Sequence, residues 1–181
     1  TTYQKSVAYT LEHSKFGQLS EFFDTLVLVL VVFGGALPWL YSEVVGLGGP
    51  DAVWSRTIYL LLVGVLLAMP GLPFEWWSQF RLEEKYGFNK STPKLWVMDK
   101  IKGLGLLLVI GYALVWVLLS LVNWVGDMWW LWGFGVLFGF QILMLVLYPK
   151  LILPIFNKLT PLPEGELRDR LIALGERTGF Q

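Results

Sequence analysis

The chain has 181 residues, of which 55% are apolar and only 15% are charged, and its mean hydropathy is +0.59. Soluble domains carry nearer to about 25% charged residues, so this composition excludes an ordinary soluble domain. Fourteen basic residues balance fourteen acidic ones, which leaves no electrostatic basis for binding a nucleic acid. The chain contains no cysteine and one histidine, whereas a zinc site draws on several His or Cys ligands.

Four stretches without a charged residue predict four transmembrane helices. Each stretch holds at least 18 residues, and about 20 mostly apolar residues suffice to cross the hydrocarbon core. The stretches are residues 25–42, 57–74, 103–126 and 128–149. The predicted spans are residues 22–45, 54–77, 100–125 and 128–150. The acidic residues Glu21 and Asp24 before the first stretch exclude a signal peptide.

The positive charges predict the orientation of these spans. Of the 14 Lys and Arg residues, all but Arg56 lie before the first charge-free stretch, between the second and third, or after the fourth. Cytoplasmic loops collect Lys and Arg, so this face is predicted to be cytoplasmic. The predicted domains are a cytoplasmic lead-in at 1–20 and a transmembrane domain at 21–153, which includes a cytoplasmic loop at 78–99. Residues 154–181 are predicted to be the first part of a cytoplasmic connector.

Local signals predict that the second and third helices project into the cytoplasm. Gly87 is typical of a residue that ends a helix. Thr92 and Pro93 are typical of a cap followed by the first helical residue, so the third helix is predicted to begin near Pro93.

Beyond the fourth span, prolines and leucines predict a change of structure. Four prolines are expected to interrupt the helix repeatedly. Three leucines at helical spacing then predict a short amphipathic helix, and two glycines are expected to close it. These residues are Pro149, Pro154, Pro161, Pro163, Leu167, Leu171, Leu174, Gly175 and Gly179.

The polar groups of the sequence do not make a complete active site. His13 stands beside Glu12 without a further ligand and is interpreted as a solvated residue. Glu83 and Glu84 are adjacent on a helix and do not face one another, so they are interpreted as a solvated helix end. Gln141 is the polar residue in the middle of a span, where a transport path would place a charge. We therefore expect no catalytic residue and no metal ligand set in this chain.

Six stretches of the chain share their order and spacing with a known family. They are residues 6–16, 33–41, 71–73, 83–92, 99–102 and 152–167. Together they resemble the N-terminal membrane half of the type I CAAX prenyl proteases, which are integral-membrane zinc metalloproteases. The motif positions, to which we assign no individual role, are Glu83, Glu84, Lys85, Gly87, Phe88, Asn89, Pro154, Phe156, Pro161 and Pro163.

The resemblance implies an α-helical membrane enzyme in which this chain is part of a larger helical barrel around a water-filled chamber. The family's H-E-x-x-H motif and its zinc would lie beyond residue 181, so the 181 residues are expected to be an inactive fragment. They would form the chamber wall and a cytoplasmic rim at 75–102. The implied partners are the lipid bilayer, the remainder of the protease chain, and a peptide or lipidated-protein substrate. The implied location is a bacterial cytoplasmic membrane or, in a eukaryote, the endoplasmic reticulum membrane.

Two other classes of function stay open at this point. A non-catalytic membrane scaffold or assembly subunit would use the apolar stripe of the last predicted helix to bind a partner helix. A channel or carrier is less favoured, because no charge lies in the middle of a span.

Overall fold

The structure is a computed structural model that describes residues 2–49, 51–157 and 165–179. Regular structure in these ranges is entirely helical, which confirms the predicted all-α class. The helices are α1 (Thr2–Phe33), α2 (Ala36–Gly48), α3 (Val53–Tyr86), α4 (93–125), α5 (Trp129–Leu147), α6 (Leu153–Phe156) and α7 (Glu166–Thr178). Within them, the chain forms π-helical turns at Ser78–Glu83 in α3 and Leu107–Gly111 in α4, and a further one at Tyr148–Ile152 between α5 and α6.

Three helical stretches are long and apolar enough to cross a membrane: Gln4–Phe33, Val53–Tyr86 and Pro93–Phe156. They confirm that the chain is a membrane protein. The last stretch has 64 residues and contains both the third and the fourth predicted span. Gly126, with φ +68°, marks a turn inside it. The number of crossings, predicted to be four, stays a prediction.

The residues of the first predicted span are divided between two helices. α1 ends at Phe33 and α2 begins at Ala36. Gly35 between them has φ +81°, a conformation that favours glycine, and a Cβ on Gly34 would lie 2.3 Å from the Leu30 carbonyl oxygen. The pair of glycines thus turns the chain inside a stretch that hydropathy alone predicts to be one continuous helix.

The predicted helix breaks at Pro149 and Pro154 are wrong. Both residues lie in helical structure, Pro149 within the π-helical turn Tyr148–Ile152 and Pro154 within α6. Each stands among the first two residues of a segment in which the type of helix changes, inside the continuous helical stretch Pro93–Phe156. The changes of helical type therefore accommodate these two prolines without interrupting the helix.

The chain is divided into two compact units, residues 1–139 and residues 140–181. In the first unit, α3 packs against α1, α2 and α4. Two buried hydroxyl groups near the start of α3 bond within the helix, from Ser55 to the Ala52 carbonyl at 3.0 Å and from Thr57 to the Val53 carbonyl at 2.8 Å. α3 is therefore the helix on which the first unit is organised.

In the second unit, α6 packs against the preceding turn, and the amphipathic helix predicted beyond Pro163 is present as α7. Its three leucines at helical spacing are exposed within the described part of the chain. Gly179, with φ +68°, ends α7 as predicted, but Gly175 lies inside the helix, so its predicted closing role is wrong. The breaks predicted at Pro161 and Pro163 lie outside the described residues.

Candidate functional site

The motif E-E-K-Y-G-F-N forms the end of α3. Gly87 has φ +80°, and its N–H group donates to the Glu84 carbonyl at 3.0 Å. The next N–H group, of Phe88, reaches back to the Glu83 carbonyl at 2.9 Å. This pair of bonds is the Schellman arrangement, in which a glycine in the left-handed conformation ends a helix. Gly87 therefore ends the helix as the sequence predicts.

Asn89 fixes the path of the chain from α3 to α4. Its side-chain oxygen accepts hydrogen bonds from the Gln79 amide at 2.9 Å and from the Ser91 N–H group at 2.8 Å. Three residues after Asn89, the Thr92 hydroxyl accepts from the Leu95 N–H group at 3.3 Å and caps α4. Pro93 then occupies the first helical position, as predicted.

A cluster that we call the rim clamp ties the end of α3 to α1. It consists of Tyr9 and Glu12 from α1 with Lys85, Tyr86 and Phe88 from the motif. The Tyr9 ring lies 5.2 Å from the Tyr86 ring and 4.8 Å from the Phe88 ring, both edge to face. The Lys85 ammonium donates to both oxygens of the Glu12 carboxylate, at 2.6 and 2.9 Å. The ion pair joins residues 73 positions apart in the sequence.

The ion pair and the aromatic contacts of the rim clamp differ in their exposure. Glu12 and Lys85 are partly exposed and lie outside the charge-free stretches. Their hydrogen bond lowers the pKa of the Glu12 carboxyl group and raises the pKa of the Lys85 ammonium group. Tyr86, in contrast, is only 8% exposed. Solvent screens exposed ion pairs, so the aromatic contacts contribute more to stability.

A second set of contacts joins α3 to α4 across the rim. Glu75 of α3 forms an ion pair with Lys100 of α4. Beside it, the Trp76 and Trp96 rings meet edge to face at 5.2 Å. Lys100 also lies over the Trp96 ring, 5.3 Å from its centre. The end of α3 is thus held to α1 by the rim clamp and to α4 by these contacts.

Of the motif positions singled out in the sequence, the structure brings four together at the rim: Lys85, Gly87, Phe88 and Asn89. Glu83 and Glu84 contribute their backbone carbonyls to the end of α3. The remaining positions are far along the chain, since Pro154 and Phe156 lie in α6 of the second unit, and Pro161 and Pro163 lie outside the described residues.

Sequence reasoning missed the partners of the motif. Tyr9 and Glu12 lie in one of the resembling stretches, but nothing in the sequence indicates that they contact the motif. Glu75 directly follows one charge-free stretch, and Lys100 lies three residues before the next. Their positions near the ends of these stretches are the one signal that could have suggested a pairing between them.

The described residues do not fit a zinc site. His13 is exposed, and its ring lies beside Tyr9 at 5.5 Å. Across residues 2–49, 51–157 and 165–179, no three His, Cys, Asp or Glu side chains gather where they could hold a metal ion. Zinc sites normally draw on at least three such protein ligands. No catalytic step through a metal can therefore be derived from this part of the chain.

Residues 1–158 match the family described as CAAX prenyl protease N-terminal, five membrane helices. The CAAX prenyl protease 1 homolog of Oryza sativa subsp. japonica is 33% identical, over 98% of this chain and 43% of its own length. CAAX prenyl protease 1 of Saccharomyces cerevisiae is 31% identical, over 99% and 42%. A crystal structure of S. mikatae Ste24p superposes with a TM-score of 0.89 at 32% identity, over 99% of this chain and 43% of that one. The chain spans about two fifths of these relatives and belongs to the CAAX prenyl protease family, as its N-terminal membrane domain.

Proposed function

We propose that the chain is the membrane part of a zinc-dependent endopeptidase, in which it forms the chamber wall and the cytoplasmic rim. The observation that carries the proposal is the rim clamp. It fixes the resembling motif at 83–89 against the resembling stretch at 6–16. A rim held in this way presents a fixed surface to a catalytic segment, which supplies the zinc ligands from beyond residue 181.

The rim contributes binding and orientation, while the catalytic segment supplies the chemistry. The substrate is a peptide bond near the C-terminus of a membrane-associated or lipidated protein, since the relatives are named CAAX prenyl proteases. Six basic residues between positions 81 and 102 give the rim a positive character on the predicted cytoplasmic side. The 181 residues alone are expected to have no proteolytic activity, because their described part offers no zinc ligand set.

The first test of this function is the intact mass and zinc content of the natural gene product. We expect a mass well above 20.6 kDa, about one zinc ion per polypeptide as catalytic sites require, and cleavage of a prenylated peptide. The 181-residue polypeptide, purified in the same way, is the control. It should contain no stoichiometric zinc and should leave the peptide intact.

Two outcomes would contradict the proposal. A natural product of 20.6 kDa without activity would favour the membrane scaffold, for which the exposed leucines of α7 are the supporting observation. Tightly bound zinc in the 181-residue polypeptide would show that the ligand set lies in this chain after all.

The orientation of the domain is a separate prediction. The chain has no cysteine, so single cysteines introduced at Lys90 and at Asp51 can be labelled without background. In sealed vesicles whose cytoplasmic face is outward, a membrane-impermeant maleimide should label the cysteine at position 90 and not that at position 51, because the positive charges place position 90 on the cytoplasmic side. Labelling of position 51 alone would refute the orientation, and labelling of both would refute their placement on opposite faces.

The proposal also concerns which cellular membrane contains the protein. The relatives reported above come from eukaryotes and lend no support to a bacterial cytoplasmic membrane. The apolar helices support an integral membrane position, and we propose that the rim lies on its cytoplasmic side. Among eukaryotic membranes, the endoplasmic reticulum is the one that the resemblance implies.

A further inference from the structure

Two opposite faces of α3 differ in their chemistry. One face, which we call the polar face, carries small or polar residues at spacings of three and four, namely Gly64, Ala68, Gly71, Glu75 and Ser78. The other, which we call the apolar face, carries large apolar residues at spacings of four and seven, namely Leu62, Leu66, Pro73 and Trp77. Successive residues of a helix are rotated by about 100°, so Gly64 and Leu66 point to opposite sides of α3.

The polar face is open at the depth where the membrane is most apolar. Gly64 and Ala68 lie near the middle of the charge-free stretch 57–74, at least about 9 Å from either end along the helix. A Cβ on Gly64 would meet nothing within 4 Å, and Ala68 is exposed. Leu62, at a similar depth on the apolar face, is also exposed. Both faces of α3 therefore meet a surrounding other than the described residues.

Charged groups lie along the polar face. The Asp24 carboxylate of α1 lies against Gly71, where a Cβ would be 3.7 Å from one of its oxygens. Gly71 is four residues deeper than Glu75, or about 6 Å along α3. Glu75 itself forms an ion pair with Lys100 of α4, and both side chains are half-exposed. Charged side chains at membrane depth face the interior of a helix bundle or a water-filled cavity.

We propose that the polar face of α3 lines a water-filled cavity at mid-membrane depth, while the apolar face contacts lipid acyl chains. Water at the polar face keeps the carboxylates of Asp24 and Glu75 hydrated, which avoids the cost of placing a charge in hydrocarbon. Leucine at positions 62 and 66 gains free energy from contact with lipid, whereas glycine at position 64 has no side chain to bury. The inference rests on the proposed function, because it assigns the side of the chamber wall that faces the water.

Close packing of another helix is the alternative to water at the polar face. Small residues four positions apart, such as Gly64 and Ala68, allow the backbones of two membrane helices to approach closely. In that case a further segment of a longer chain would cover both positions and exclude water. The experiment therefore has to distinguish water, lipid and protein at the same depth.

The experiment compares single cysteines at matched depth in the complete gene product, held in lipid nanodiscs. Gly64→Cys and Leu66→Cys form one pair, and Ala68→Cys and Leu62→Cys form a second pair in case a variant of the first fails to fold. A charged methanethiosulfonate reagent is added, and its attachment is followed by mass spectrometry of the peptide that carries the position. We expect the cysteine on the polar face to react at least about tenfold faster, because hydrocarbon raises the pKa of a thiol and suppresses the reactive thiolate.

A nitroxide attached to the same cysteines distinguishes lipid from protein. We expect the nitroxide to collide mainly with a water-soluble nickel chelate at positions 64 and 68, and mainly with lipid-dissolved oxygen at positions 62 and 66. Equal or reversed reactivity within the pairs would overturn the proposal. So would protection of positions 64 and 68 from both collision partners, the result expected if another helix covers them.

Failure of this inference is distinguishable from failure of the proposed function. A product that holds zinc and cleaves the prenylated peptide, but reacts equally on both faces of α3, would refute the water-lined face and leave the protease function standing. A product without zinc or activity that reacts only on the polar face would do the opposite.

Discussion

We expect replacement of Tyr86 by alanine to lower the free energy of unfolding by about 3 kcal/mol. Tyr86 is 8% exposed, and its ring contacts Tyr9 of α1 edge to face at 5.2 Å. Removal of the ring leaves a cavity at the point where the end of α3 meets α1. Thermal unfolding in detergent, followed by circular dichroism, measures the change.

Two controls separate loss of the ring from other effects. Tyr86→Phe keeps the ring and should lose no more than about 1.5 kcal/mol, the contribution of a hydrogen bond. Trp124→Ala removes a larger side chain that is 87% exposed, and we expect it to change the stability by no more than about 0.5 kcal/mol. If Tyr86→Ala were no more destabilising than Trp124→Ala, the rim clamp would not hold α1 and α3 together.

Replacement of Gly87 by valine should destabilise the protein by about 1–2 kcal/mol. The backbone of Gly87 has φ +80°, which a β-branched residue adopts only under strain. Because the same residue ends α3 through its bond to the Glu84 carbonyl, strain here also disturbs the start of the rim. The change is read from the same unfolding curves.

The matched control for Gly87→Val is Gly105→Ala. Gly105 lies inside α4 with helical backbone, and a Cβ there would meet nothing within 4 Å. We expect alanine at this position to stabilise the protein by about 0.5–1 kcal/mol, because glycine is a poor helix former. Equal effects of the two changes would contradict the role of Gly87 in ending the helix.

The parts of the fold that local chemistry determines could be predicted from the sequence. Gly87 ends α3, and Thr92 with Pro93 begins α4, because caps depend on a few adjacent residues. The helix break predicted at Pro149 is wrong for the opposite reason. Pro149 lies inside a continuous helical stretch, in a π-helical turn that changes the hydrogen-bond register, and the start of such a turn leaves no mark in the residue pattern.

Only one half of the candidate site, the motif itself, could be predicted from the sequence. The motif at 83–89 is visible in the sequence, but Glu12 and Tyr9 lie more than 70 positions away from it. Neither periodicity nor charge pairs residues at that separation. The break at Gly34 and Gly35 was also invisible, because glycine is common in transmembrane helices and hydropathy does not report φ.

The glycine break between α1 and α2 restricts what can surround this part of the chain within the membrane. α2 has 13 residues and is about 20 Å long, too short to cross a hydrocarbon core of about 30 Å. The first backbone N–H groups of α2, which have no acceptor within the helix, lie in the middle of a charge-free stretch, and Pro38 removes one of them. In hydrocarbon, such groups are tolerated only where protein or water solvates them. The surface around residues 34–37 therefore faces another polypeptide segment or an aqueous cavity, and lipid acyl chains are excluded from it.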